Sequence, residues 1–154
     1  MTRRNLMMIA AGGSLALLLG AFVFQAFGYA PCKLCLWQRW PHGTAIGAGI
    51  LVALTGPLTI WGIAGALSAL TTAAIGVYHS GVELDWWEGP TSCTGSGNAL
   101  GGLSGDQLLS LDAPVDIVLC DEVAWAFAGV SMASWNAILS LALAGIWIAA
   151  LRRT

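Results

Sequence analysis

The chain has 154 residues, of which 57% are hydrophobic and 9% charged, and its formal net charge is −2. A soluble domain carries roughly 25% charged residues, so this composition excludes a fully water-exposed surface and sets much of the chain against lipid. The small net charge and the lack of a basic run give no reason to invoke nucleic acid, and the length is that of one domain, a single membrane domain over 1–154.

The first element expected is an uncharged run from Leu6 to Gly28. About 20 apolar residues cross a bilayer core, so this run is long enough to span. A secretory signal peptide is the competing reading, with Arg3 and Arg4 as its basic start and Gly28-Tyr29-Ala30 as a loose cleavage site. Signal cores run about 7–15 residues. The greater length here favours an uncleaved anchor.

Leu36 to Gly56 is the second expected span. It begins unevenly, with Gln38, Arg39, Pro41 and His42 in its first two turns, and then becomes apolar. Thr55-Gly56-Pro57 signals a turn, and Leu58 to Tyr78 is the third span. So short a link makes the second and third spans antiparallel neighbours. Met132 to Leu151 is the fourth, closed by Arg152 and Arg153. The expected fold is therefore an all-α membrane protein, an antiparallel bundle of four transmembrane helices. Gly47, Gly49, Gly62, Gly65 and Gly76 lie inside these spans. Small residues there let helix backbones approach closely.

The long segment from about 80 to 131 holds all eight acidic residues and a glycine-rich stretch from Gly95 to Gly105, which suggests a mobile loop. Trp86, Trp87 and Trp125 near its ends suit a headgroup interface. With four spans, both termini share a side, which carries Arg3, Arg4, Arg152 and Arg153 against Lys33 and Arg39 on the other. The positive-inside rule puts the termini in the cytoplasm and both cysteine-bearing loops outside.

Cys32 and Cys35 fall in the first outer loop, and Cys93 and Cys120 in the second. Disulfides persist in an oxidising compartment, so two structural bridges and a relay of two redox-active pairs are both open. A Cys-x-x-Cys bridge closes a very small loop and constrains little chain, which makes it a poor staple and favours redox work for Cys32–Cys35. Cys35 also stands where the second helix should begin, and free amides and the helix dipole favour a thiolate there. Arg39, one turn on, adds positive charge on the same face. Pro41 threatens a kink in that first part of the helix. Zinc ligation lacks a second Cys-x-x-Cys, and no His directly follows Cys35, so covalent haem is not signalled. Cys93 and Cys120 fit a loop staple as well as they fit a carrier of oxidising equivalents. Arg39 reads either as an interfacial anchor or as a hydrogen-bond donor to a lipid-soluble acceptor beside Cys35. His79, at the outer end of the third span, either serves that site or caps the helix.

Cys32-Lys33-Leu34-Cys35-Leu36-Trp37-Gln38-Arg39 resembles the Cys-x-Leu-Cys-x-x-x-Arg signature of the DsbB family, bacterial inner-membrane quinone reductases that reoxidise the periplasmic thiol oxidase DsbA. The resemblance covers nearly the whole chain, although the loop after His79 is richer in Trp and Gly than the family pattern. It implies that reduced DsbA attacks Cys93, that the released Cys120 attacks Cys32, and that Cys35 is left as a thiolate against a ubiquinone or menaquinone. It further implies that Arg39 contacts the quinone and, more loosely, that His79 belongs to the same site. A strongly oxidising DsbA is beyond recharging by glutathione, and a membrane quinone supplies the driving force.

Three rivals remain. A vitamin K epoxide reductase-like enzyme usually carries its Cys-x-x-Cys near a later span. A scaffold with two structural disulfides would keep its function in a Cys35→Ser variant. A metal-binding membrane protein would hold zinc in equilibrium dialysis.

Overall fold

The structure is a computed structural model and describes residues 1–90 and 119–153. Cys93 and the glycine-rich stretch expected to be mobile lie outside the described residues, as do Asp106, Asp112 and Asp116.

Four long helices make up most of what is described: α1 (Arg3–Ala26), α2 (Lys33–Thr55), α3 (Thr59–Glu83) and α4 (Met132–Leu151). They pack as a ring in which α1 touches α2 and α4, α3 touches α2 and α4, and α1 barely meets α3. The polar contacts at one end fix the directions. Arg3 donates to the Thr59 hydroxyl at 2.8 Å, Arg4 to the Ala53 carbonyl at 3.2 Å, and Arg153 to the Met1 carbonyl at 2.8 Å. The start of α1 therefore sits beside the end of α2, the start of α3 and the end of α4. Consecutive helices run in opposite directions.

Helices α1, α3 and α4 are long and apolar enough to cross a membrane. Their large side chains face outward: Leu19 of α1, Leu67 of α3 and Leu141 of α4 are all more than half exposed. The interior is built from small residues around Trp147 and Met7, both fully buried. This inversion is what lipid-facing helices require, since helix contact there rests on close packing rather than on expulsion of water. Gly65 lies directly under the Trp147 ring, Gly49 against Ala11, Gly62 against Leu151 and Met7, and Gly76 against Ala137. Gly47 faces open space, so the close-packing expectation does not extend to it.

Helix α2 differs from the expectation in two ways. It is as long as its neighbours but is not among the three helices apolar enough to span, because Gln38, Arg39, Pro41 and His42 crowd its first half. It also runs unbroken through Pro41. Pro41 lacks the amide that would bond the carbonyl four residues back, and the helix tolerates that single loss. At its far end, Gly56 at φ 90° turns the chain into α3.

Helix α3 continues five residues past Tyr78 to Glu83. His79 is thus inside the last turns, and the helix-capping role considered for it is corrected. Before α4 comes a two-stranded antiparallel hairpin, β1 (Ala126–Phe127) and β2 (Val130–Ser131), a small β element absent from the all-α expectation. Its two-residue turn places Ala128 at φ 53° and Gly129 at φ 76°. That is the positive-φ pair which tight hairpins need, here reached with alanine rather than asparagine.

Aromatic rings collect around this end. Trp125 stacks on Phe127 and leans on Phe24 of α1, while Trp87 stacks on Tyr78 and donates to the Tyr78 carbonyl. Trp86 is largely exposed. This is the belt arrangement expected where a bilayer meets water.

Candidate redox site

Helix α2 begins at Cys32, which acts as its N-cap: the Cys32 sulfur accepts the Cys35 amide at 3.3 Å. A sulfur in that role meets the unbonded amides and the positive end of the dipole. The two sulfurs are 3.1 Å apart as thiols, with Cys32 donating to Cys35. That hydrogen bond, with burial, pushes the Cys32 thiol well above its ordinary range. The same bond works the opposite way on Cys35, just ahead of Leu36, where the second span is expected from sequence to begin. It holds the Cys35 thiol below its usual value, against the effect of burial, and Arg39 adds a smaller push in the same sense. Cys35 is thus the more acidic thiol of the pair, and the main cause is its hydrogen bond with the neighbouring thiol.

Cys120 is disulfide-bonded and fully buried. It packs in one apolar cluster with Cys32, Leu34 and Val82, with Cys35 alongside. The structure thus brings Cys32, Cys35 and Cys120 together.

His79 joins the same group from α3. Its Nε2 is 3.5 Å from the Cys32 sulfur and 3.9 Å from the Glu83 carboxylate, and the Cys120 backbone also hydrogen-bonds to the ring. Ser131 donates to Glu83, and Ser134 and Ser80 continue the polar contacts toward the start of α4. Glu83, one of the eight acidic residues of the long segment, is therefore part of the site's surroundings.

Behind this lies a buried polar chain that sequence reasoning did not assign. The Gln38 amide nitrogen donates to the Leu34 carbonyl at 3.3 Å and to His79 Nδ1 at 3.0 Å. Asn136 of α4 donates to the Gln38 side-chain oxygen at 2.6 Å and to Thr72 of α3 at 3.2 Å. His42 meets the Asn136 oxygen at 2.9 Å and the Thr72 hydroxyl at 3.3 Å. One signal was available. Leu34, Gln38 and His42 are spaced four apart, so the two polar residues share a face with a buried leucine. Polar side chains within a spanning helix face the bundle interior.

Arg39 sits one turn past Cys35. It donates to Gln25 of α1 at 2.8 Å, and its guanidinium lies 4.8 Å from the centre of the Phe22 ring. Its Nε is buried without a hydrogen-bond partner. Beside it is a cavity of about 240 Å³, walled by Leu17, Ala21 and Phe24 on the apolar side. Cys35, Gln38, Arg39, His42, His79 and Asn136 supply the polar side. An apolar chamber with a few convergent polar groups is the usual form of a small-molecule site.

A hydrogen-bonded dithiol, packed against a disulfide-bonded cysteine at the end of membrane-length helices, defines a multi-pass membrane protein of thiol–disulfide chemistry. The chain belongs to the DsbB family: the family model described as "Disulfide bond formation protein DsbB" matches residues 3–150. Among curated proteins, it is 30% identical to "Disulfide bond formation protein B 2" of Pseudomonas aeruginosa over 136 residues, covering 85% of this chain and 79% of that one. It is 27% identical to "Disulfide bond formation protein B" of Acidovorax sp. over 157 residues, covering 98% and 88%. It is also 26% identical to "Uncharacterized protein RP370" of Rickettsia prowazekii, covering 76% and 69%. No solved structure gives a significant match.

Proposed function

We propose that the protein is a quinone-coupled dithiol oxidase that reoxidises a DsbA-like thiol oxidase. It would lie in a bacterial inner membrane as four spans, with its termini cytoplasmic and its cysteines periplasmic. The observation that carries this reading is the placement of Cys35. It is one of two hydrogen-bonded thiols, it packs in the cluster that contains Cys120, and it lines a largely apolar cavity with Arg39.

The exchange runs as two disulfide exchanges, each made of two displacements. A thiolate of the reduced partner attacks Cys93 of a Cys93–Cys120 disulfide, forming a mixed disulfide and releasing Cys120 as thiolate. The partner's second thiolate then displaces Cys93, so the partner leaves oxidised and Cys93 and Cys120 are left as thiols. Cys120 as thiolate next attacks Cys32 of the oxidised Cys32–Cys35 pair, releasing the Cys35 thiolate. Attack by Cys93 on Cys120 restores the outer disulfide and leaves Cys32 and Cys35 as the dithiol. Packing of Cys120 beside Cys32 supports the middle step. The Arg39 charge stabilises Cys35 as the leaving group, and the hydrogen bond from Cys32 joins it once Cys32 is again a thiol.

A quinone fits the residues present. The apolar wall from Leu17 to Phe24 suits a lipid-soluble ring, and the partnerless Arg39 Nε is a donor for a carbonyl oxygen. When bound, the quinone supplies a two-electron acceptor. Arg39 would hold it by a hydrogen bond, Cys35 would be the thiol beside it in the cavity wall, and His79 Nε2, 3.5 Å from the Cys32 sulfur, would hold or take the Cys32 proton. Cys32 and Cys35 end as a disulfide, and their two electrons and two protons leave with the acceptor.

The test is an anaerobic mixture of purified protein, a reduced DsbA-like dithiol and a short-chain quinone. Quinone absorbance falls as the partner is oxidised, and Cys35→Ser and Cys32→Ala abolish the change. Absence of quinone reduction by the wild type, or a Cys32→Ala variant as fast as wild type, overturns the reading.

A further inference from the structure

Neither orphaned group in the cavity wall is alone. Besides Arg39 Nε, His42 Nδ1 is buried with no hydrogen-bond partner among the described residues, and the His42 side chain, 3% exposed, lines the same cavity. His42 stands three residues beyond Arg39, about 4.5 Å deeper along α2 at the helical rise, on a neighbouring part of the same face.

We propose that His42 is a second polar anchor for the ring of the quinone, and that it favours the reduced hydroquinone over the oxidised form. This rests on the quinone reading above. Hydrogen-bond direction fixes the His42 tautomer. The Leu34 carbonyl can only accept, so the Gln38 atom facing it is the amide nitrogen. The Gln38 oxygen is then the atom that accepts from Asn136 Nδ2. That leaves the Asn136 oxygen facing His42 Nε2, with the Ser140 hydroxyl also donating to it at 3.4 Å. An amide oxygen has nothing to donate, so Nε2 carries the ring hydrogen and Nδ1 of the neutral imidazole is a bare lone pair.

A buried lone pair without a donor is unfavourable, and the nearby cavity admits a donor. A quinone carbonyl brings only another acceptor. A hydroquinone brings a phenolic O–H, which satisfies Nδ1. Arg39 is the converse, a donor that suits an oxygen in either form. The two anchors together accept both forms of the ring and hold the reduced one more tightly, which draws the electron transfer toward reduction.

The experiment measures binding rather than turnover. Full-length protein carrying Cys32→Ser and Cys35→Ser is redox-inert at this site and can be titrated with a short-chain quinone and, separately, with its hydroquinone. In that background, His42→Phe should weaken hydroquinone binding about tenfold, the size of one hydrogen bond, and change quinone binding by less than about twofold. Asn136→Ser keeps His42 but removes the oxygen that sets its tautomer. It should lower the preference for hydroquinone in the same direction, and it decides the matter if His42→Phe fails to fold. Equal weakening of both forms, or no change in either, overturns the proposal while leaving the quinone reading intact. A background protein that binds neither form overturns both.

Discussion

Gln38→Leu removes the residue that ties three helices together. In the structure Gln38 makes three side-chain hydrogen bonds: to the Leu34 carbonyl, to His79 Nδ1 and from Asn136 Nδ2. Leucine has similar bulk and leaves no cavity, so the loss is polar. The Leu34 carbonyl has its helical position to fall back on, and Asn136 keeps Thr72 at 3.2 Å. His79 Nδ1 keeps nothing in Gln38's place. In water-soluble cores such an orphan costs about 1–3 kcal/mol, but interhelical hydrogen bonds within membranes average only about 0.6 kcal/mol. Two of the three bonds are interhelical, and at the membrane value they give about 1.2 kcal/mol, so the two routes agree within their scatter. Unfolding of purified protein in mixed micelles, titrated with SDS and followed by Trp fluorescence, should show that loss. A Gln38/Asn136 double-mutant cycle should return a favourable coupling near 0.6 kcal/mol or above. A Gln38→Leu variant within about 0.3 kcal/mol of wild type would refute the reasoning, because it would mean these groups find equal partners in the unfolded state.

Two further outcomes follow from the packing and from the thiol pair. Gly65→Leu drives a branched side chain into the Trp147 ring and should destabilise the bundle by about 1–3 kcal/mol, whereas Gly47→Leu, which faces open space, should be near neutral in the same SDS titration. In the reduced protein, Cys35 should alkylate with iodoacetamide faster than Cys32. Its thiolate is present above its lowered pKa and is lost as pH falls through it, so the rate falls on acidification. Cys32→Ala deletes the stabilising hydrogen bond, so the midpoint of that curve should move up. An unmoved midpoint would show that Arg39 and the helix terminus, not the Cys32 thiol, govern Cys35.

Much of the site was legible because its chemistry is local. Cys32, Cys35 and Arg39 share one turn-and-a-half of α2, so spacing alone placed the sulfurs together and the arginine on their side. Four helices were legible from apolar runs, which are separated by polar, charged or Gly-Pro stretches. What the sequence could not yield directly was tertiary. Asn136 and Gln38 are 98 positions apart, and no periodicity reports that α4 faces α2. His79 was placed near the site but at a helix end, because the apolar run stops at Tyr78 while the helix continues on its hydrogen bonds to Glu83. The hairpin escaped because Ala128-Gly129 lacks the Asn or Asp that normally marks a positive-φ turn.

The polarity of α2 has a consequence for how the protein is made. A segment led by Gln38, Arg39 and His42 partitions poorly into lipid when it arrives alone, because each of those side chains carries a transfer penalty near the bilayer centre. Arg39 meets Gln25 of α1, which is already made, but Gln38 and His42 meet His79, Thr72 and Asn136 only once α3 and α4 are beside them, and Asn136 is synthesised last. Within the proposed topology, α2 therefore depends on α3, joined to it by the tight turn at Gly56, to be drawn in as a pair. Until α4 arrives, that pair holds an unfinished polar seam, which makes the nascent chain a substrate for quality control at the point where its chemistry is being assembled.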